Sequence, residues 1–514
     1  MILEQDVTER VLAENLSKQG VTVMRNTEVI SFESDDEGVT ATLVRRAKDG
    51  AVYDWYAANN RESKMESTPS AESTPEIGAG DEKLNIRARF FVACEGAHSS
   101  TRKKLGWKFE GRTINDEYVL ADVDIVTDLP NVSGVVANST STVFIADLPN
   151  QKAITPNARR VRLGYRRGEI DAGLPQLTTE ILIADVKKLV GPDVSADISN
   201  VTWMTSFKIN ERLSEKYVED KHHRIMLAGD AAHCHSPAGG QGMNLGMQDA
   251  FNLAWKLALA VKRGGDSHKQ LLTAYEQEQR PVAAGVLQLS SRLLGTMFGD
   301  GWFAQFVRGW ILPNLPEMVR APVALRNSQL TTRLSRTAFV DDSTSISQLN
   351  EFGQPGWRFP DALLIDSASG ESVSLHQLVM SDAAFHLVTM LPQQLSAEQA
   401  SQIKELDAFV AGLNGSKPLF DVRDESSLTQ ALPRPVRQLA AVTTIAPVDS
   451  TAPAKYRDSD DHNFQKAVSA KPSAWPACND VLLVVVRPDG VVGQVASLAT
   501  PDALARIKHY FSQL

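Results

Sequence analysis

An α/β chain of more than one domain is the fold class this sequence predicts, and three observations predict it. Stretches with helical spacing of apolar residues alternate with stretches of strand-like alternation from one end to the other. A short apolar strand, Arg224-Ile225-Met226-Leu227-Ala228, runs through a glycine-rich loop into a long amphipathic helix. The length, 514 residues, exceeds what one hydrophobic core organises, so two or three domains are expected.

The elements follow in order. EQDVTERVLAENLSKQ (4–19) places Val7, Val11, Leu12 and Leu16 at helical spacing, with Gly20 where a C-cap glycine belongs. VTVMRNTEVISFESDDEGVTATLVRR then alternates like two antiparallel strands joined by an acidic turn ending in Gly38. Residues 57–83 have almost no large apolar side chains and are rich in Ser, Thr, Glu and Pro, so they read as a disordered insertion between two strands. LNIRARFFVACEGAHSSTRKKLG returns to strand, turn and helix start, and Cys94 reads as a core residue of an apolar strand.

Residues 112–220 hold short alternating runs around one helical stretch (178–190), which predicts a mostly antiparallel sheet as a separate layer. From 247 to about 335 the chain reads as helical, with the aromatic residues of FGDGWFAQFVRGWILP (298–313) as helix-core candidates first. The Ser, Asp, Gly and Pro of 336–360 suggest a linker. Beyond it AFHLVTML, a helix near 397–413, a hairpin about Asp489-Gly490 and a closing helix predict a compact C-terminal α/β domain.

Composition narrows the function classes. Hydrophobic residues at 43% and charged residues at 22% describe an ordinary globular chain. A net charge of −9 weighs against nucleic acid or an anionic membrane as main partner. The sequence has no apolar run of membrane-spanning length, and its start, MILEQDVTER, lacks the basic-then-apolar order of a signal peptide, so a cytoplasmic location is expected. Cys94, Cys234 and Cys478 form no CxxC, which suggests neither a disulfide framework nor structural zinc.

The stretch LAGDAAHCHSPAGGQGMNLGMQDAFNLAWKLA (227–258) carries the chemistry. A strand that enters a glycine-rich loop and then a helix aims the free N–H groups and positive dipole end of that helix at whatever occupies the loop. Gly239, Gly240 and Gly242 let backbone come close to that occupant, Asp230 is placed to accept hydrogen bonds from hydroxyls, and Pro237 offers a rigid flat face. A flavin dinucleotide, with a polyol chain and an electron-poor ring, suits such a site. His233, Cys234 and His235 are zinc-ligand types, but successive loop residues seldom converge on one ion, so no metal is expected.

This stretch resembles the second FAD-binding motif of the single-component flavoprotein aromatic hydroxylases, the class of phenol 2-monooxygenase and p-hydroxybenzoate hydroxylase. Gly229, Asp230, His233, Pro237, Gly240, Gln241, Gly242, Met243 and Asn244 stand at the family's spacing. VACEGAHSSTRKKLG (92–106) is similar to the family's Asp-Gly-x-x-Ser-x-x-Arg motif, associated with FAD and NADPH; here it supplies Glu95, Gly96, Ser99 and Arg102, with Glu95 where Asp is usual. Gln5, ahead of a helix, resembles the family's nucleotide-contacting Gln. Arg212 stands where the family has an Arg ahead of the Gly-Asp strand, with a surface ion pair as the plainer reading.

The resemblance implies an FAD-binding, Rossmann-like domain (1–111 and 221–285) interleaved with a β-sheet substrate domain (112–220), a helical segment (286–335), a linker (336–350) and a thioredoxin-like domain (351–514). It implies FAD and NADPH as cofactors, O2 and a small phenolic substrate as reactants, ring hydroxylation through a flavin hydroperoxide, and a homodimer. No catalytic base is visible in the motifs, and none is nominated. The chain holds no GxGxxG, the turn that would cradle the FAD pyrophosphate, so the FAD domain is expected to be incomplete, lacking its N-terminal βαβ unit. The alternative reading is a truncated, non-catalytic flavoprotein paralogue with weak or no FAD binding.

Overall fold

The computed structural model describes residues 5–46, 80–128, 134–137, 142–148, 151–170, 173–192, 194–237, 240, 242–263, 266–299, 301–311, 332–341, 343, 346–347, 349–380, 384–392, 394–414, 440–446, 454, 456–458 and 480–513. The chain divides into two compact units, one of Met1–Glu215, Gly229–Met243 and Ala284–Ala324, the other of Lys216–Ala228, Asn244–Ala283 and Leu325–Leu514.

In the first unit, helix α1 (Gln5–Lys18) ends at Gly20, whose φ of 71° closes the helix while Val21 N–H reaches back to Leu16 O. Its apolar Val11, Leu12 and Leu16 are exposed. Strands β1 (Thr27–Ser34) and β2 (Val39–Arg45) form the expected hairpin. Asp35 shapes its turn, the carboxylate accepting the Glu37 and Gly38 N–H groups at 2.9 Å each. Strand β3 (Glu82–Ala88) adds to β2 with Glu82 opposite Arg45. The insertion expected over 57–83 therefore ends sooner, because Glu82 and Lys83 already pair in this sheet; residues 57–79 lie outside the described residues.

After β4 (Phe91–Ala93) and the short helix α2 (Ser100–Lys104), the chain builds a six-stranded antiparallel sheet. Its strands are β5 (Phe109–Thr127), β6 (Gly134–Ala137), β7 (Thr142–Asp147), β8 (Arg159–Glu169), β9 (Ala196–Ser214) and, past β10 (Ile225–Leu227) of the second unit, β11 (His233–Cys234), in the order β11-β9-β5-β8-β7-β6. One face packs Val123, Ile125, Val161 and Leu163 against Leu182 and Val186 of α3 (Thr179–Val190). Cys94 is exposed rather than core, because β4 stops one residue before it.

Helices α4 (Gly242–Arg263), α5 (Ser267–Phe298) and the single turn α6 (Trp302–Phe306) follow. The aromatic residues after 298 are not core: Trp302 is 80% and Trp310 63% exposed, Phe306 stacking on Trp310 at 5.5 Å. Phe298 alone turns inward, edge-on to Tyr118 of β5 at 5.8 Å.

The second unit is built on a seven-stranded sheet of β12 (Leu363–Asp366), β13 (Ser372–Ser374), β14 (Phe385–Met390), β15 (Ala440–Ala446), β16 (Tyr456–Asp458), β17 (Leu482–Val486) and β18 (Val492–Ser497). Its order is β13-β12-β16-β15-β14-β17-β18, with β14–β15 and β15–β16 parallel. Helices α7 (Leu375–Met380), α8 (Ala397–Asn414) and α9 (Ala503–Ser512) accompany it. The stretch expected to be a linker is folded in: Phe339, Val340, Ile346, Leu349 and Phe359 are buried, since its polar residues are interrupted by apolar ones that join the core.

The unit boundaries also differ from the sequence division. Trp255 of α4 packs edge-on to Phe385 at 5.3 Å and to Phe339 at 5.7 Å, so α4 and the first part of α5 share a unit with residues 325–514. Among the described residues, no helix is long and apolar enough to cross a membrane.

Candidate cofactor site

The motif residues of the first unit converge through backbone geometry. Gly229 opens a 3-10 turn (Gly229–Ala231) with φ of 61°, which a residue with a Cβ adopts at a cost. The turn leaves Asp230 exposed, and among the described residues no donor reaches its carboxylate. The chain then re-enters the sheet as β11, where His233 and Cys234 pair with Leu213 and Arg212. Among the described residues Arg212 forms no ion pair; it braces the sheet by donating to Phe109 O at 3.1 Å and Thr113 Oγ1 at 3.0 Å.

Arg102 ties the two motifs together. It is 3% exposed, donates to Ala231 O at 2.7 Å and to Ala97 O at 2.8 Å, and lies 3.7 Å over the Phe109 ring. Among the described residues no carboxylate forms an ion pair with it, and burial lowers its pKa from the usual value. The Gly-Asp turn and the Glu95 turn are thus held by one buried cation with no ion-pair partner among the described residues.

Glu95 faces the start of α2. Its carboxylate accepts the Ser99 and Ser100 hydroxyls at 2.8 Å each and the Ser100 N–H at 3.1 Å. Burial alone would raise its pKa, but the bonds from Thr101, Ser100 and Ser99 outweigh it and lower the value. Ser99 caps the helix by accepting the Arg102 N–H at 3.0 Å, and Gly96 has φ of 80°. The longer Glu in place of Asp is accommodated as a helix cap.

Past β11, His235 was legible only as a metal-ligand type. Its Nδ1 lies 2.7 Å from Ser236 O, a pure acceptor, so Nδ1 carries the proton and Nε2 presents a lone pair. Among the described residues Nε2 is buried with no partner, and burial lowers the pKa, keeping the ring neutral at neutral pH. The ring faces the start of α4: a Cβ on Gly242 would come 3.8 Å from Nε2.

Gly240 has φ of 63° and open space around it, so backbone is accessible there. Pro237, Met243 and Asn244 are exposed, His233 is buried, and Gln241 lies outside the described residues, as does the side chain of Gln5, which opens α1. Among the described residues no group of three His, Cys, Asp or Glu could hold a metal ion.

These residues fit a flavin nucleotide on three counts. An unengaged carboxylate suits a polyol, an orphaned lone pair at His235 calls for an external donor, and the α4 N-terminus is approached over glycines.

Comparison with known proteins agrees. A family model described as an FAD binding domain matches residues 1–57 and 60–290. The FAD-dependent monooxygenase ankC of Aspergillus thermomutatus is 28% identical over 415 residues, 79% of this chain and 62% of that protein. The 3-hydroxybenzoate 4-monooxygenase of Comamonas testosteroni is 32% identical over 228 residues, 42% of this chain and 34% of its own length. The chain therefore spans less than two thirds of these curated relatives.

Among solved structures, the flavin-dependent monooxygenase PieE, in complex with FAD and substrate, gives a TM-score of 0.61 at 20% identity over 99% of this chain and 80% of that one. Aklavinone-11 hydroxylase, with FAD and aklavinone, gives 0.63 at 19% identity over 99% of this chain and 78% of that one. At such identities the likeness shows the fold. With its match running through the Glu95 turn, the Asp230 turn and the glycine approach to α4, the chain belongs to the FAD binding domain family.

Proposed function

We propose that this protein is an FAD-dependent aromatic monooxygenase, drawing electrons from NADPH and placing one oxygen atom of O2 on a phenolic ring. The observation that carries the reading is the exposed, unengaged Asp230 beside an open glycine approach, in a turn locked to the Glu95 motif by Arg102. FAD, when bound, supplies the electron transfer and the activation of O2.

The chain's own residues bind and orient. Asp230 accepts hydrogen bonds from hydroxyls of the cofactor, the N-terminus of α4 favours negative charge, and neutral His235 offers an acceptor through Nε2. Arg102 adds positive potential from below without occupying the space itself. The six-stranded sheet serves as the substrate layer, with Tyr118, Phe207 and Phe298 as aromatic wall. Residues 351–514 serve as a thioredoxin-like assembly domain of a cytoplasmic homodimer, with no dithiol chemistry because the sequence has no CxxC. The relatives named as monooxygenases support an enzyme over the non-catalytic alternative.

The test is reconstitution of the full chain with FAD, followed by gel filtration and by oxygen uptake with NADPH and phenol or 3-hydroxybenzoate. Retained flavin and a hydroxylated product are expected. Failure to retain flavin, or NADPH oxidation that yields only peroxide with every phenol tried, would refute the reading.

A further inference from the structure

The second unit contains a cavity of about 30 Å³ lined in part by Phe251, Asn252, Gln279, Thr332, Arg358 and Asp489. Among the described residues, two of its polar side chains lack partners. Gln279 is 3% exposed and its Oε1 is buried without a hydrogen bond. Arg358 has no hydrogen-bond or ion-pair partner for its guanidinium among the described residues. An unpaired acceptor buried to this degree calls for an occupant, and the half-exposed cation on the same small space favours an anionic one.

Charge decides its sign. Behind the cavity Lys256 and Arg487 face Glu278 and Asp489, two cations against two anions, all four buried. Asp489 is fully engaged, accepting from Arg487 Nε at 3.0 Å and Trp255 Nε1 at 3.1 Å. Arg358 therefore leaves one positive charge over, which a monoanion balances. Size sets the rest: a water needs roughly 10–15 Å³ of such space, so the cavity holds a group of only a few heavy atoms. Phe251, 58% exposed at the rim, leaves the space reachable from solvent.

We propose that this cavity binds a small monoanionic oxyacid that keeps one O–H, bicarbonate being of the right size. Its charged oxygens accept from Arg358, and its O–H donates to Gln279 Oε1. Asn252 is fixed by the network, its Nδ2 donating to Glu278 Oε2 at 2.7 Å, and holds the wall rigid.

The experiment is titration of the full chain with 13C-bicarbonate near pH 8, followed by NMR line broadening, with nitrate and chloride as competitors. One saturable site per chain is expected, weakened about tenfold or more in Arg358→Gln, whose half-exposed position tolerates the change. Nitrate and chloride, which carry no proton for Gln279, should compete about fivefold more weakly. Gln279→Glu should abolish binding by placing a carboxylate beside the anion; circular dichroism checks its fold, and if it does not fold Arg358→Gln decides alone. No saturable binding, binding unchanged in Arg358→Gln, or equal competition by nitrate and chloride would each overturn the proposal.

Discussion

Two buried arginines, one in each unit, are housed in opposite ways. Arg487 sits among carboxylates: Nη1 and Nη2 donate to Glu278 at 2.9 Å each, Nε to Asp489 at 3.0 Å, and its pKa is raised because the two anions outweigh burial. Arg102 instead donates to two backbone carbonyls and lies over a phenyl face, and burial pulls its pKa down although the Glu95 charge partly offsets it. A neutralised charge has no long-range field and serves packing and register. An uncompensated one keeps its field and attracts an anion. The difference is why the proposed function gives the first a structural role and the second a role toward a ligand.

The comparison breaks most visibly at Glu278. Removing its charge in Glu278→Gln leaves Arg487 and Lys256 buried without their shared partner, and a loss of about 3–5 kcal/mol is expected in denaturant unfolding. Burial by itself would raise the Glu278 pKa, but Arg487 and Lys256 hold it down at about 2. A folded-state value below the unfolded one contributes stability that is present above the unfolded value near 4.5 and disappears as pH falls through about 2. Acid titration should therefore destabilise the wild-type chain across that window and Glu278→Gln much less; equal slopes would place the charge network outside the stability of the unit.

A smaller effect is expected at Arg102. Arg102→Met keeps the stem over Phe109 but removes the cation and both carbonyl bonds, so FAD affinity should fall by roughly ten- to a hundredfold, measured by quenching of flavin fluorescence. Wild-type affinity in this variant, with a normal unfolding midpoint, would make Arg102 as structural as Arg487.

The smallest effect concerns Cys234, which lies in the field of Arg102. Burial pushes its thiol up to about 12, the nearby Asp230 adding to the rise and Arg102 and Arg212 only partly offsetting it. A thiol reagent at neutral pH should modify exposed Cys94 and leave Cys234 untouched until the chain unfolds. Rapid native labelling of Cys234 would mean that the cation's field prevails over burial.

The contrast also explains what the sequence disclosed. The strand and hairpin readings rest on local chemistry, such as the Asp35 turn and the C-cap at Gly20, so they could be read from spacing. The exposed Asp230 turn and the open backbone at Gly240 belong to a contiguous motif, which is why the proposed roles could be read from spacing. Arg102 was identified as a motif residue, but not as the clasp onto Ala231, because that bond joins residues 129 apart in the chain. The network at Glu278 was invisible, since its partner Arg487 is 209 residues away and no spacing rule connects them. Aromatic content misled at Trp302 and Trp310, where composition suggests core but Trp302, in the single turn of α6, and Trp310, in the π-helical turn after it (Val307–Ile311), are both exposed.

The β17–β18 hairpin carries a further implication. Hairpin tips usually tolerate insertions and tags because they face solvent. Here the tip residue Asp489 is 4% exposed and engaged by Arg487, Asn252 and Trp255, while a Cβ on Gly490 would come 3.1 Å from Met380 Sδ. This turn is therefore among the least editable positions of the molecule: a loop graft, an epitope or a circular-permutation break placed there would be inserted into the interior rather than displayed outside it.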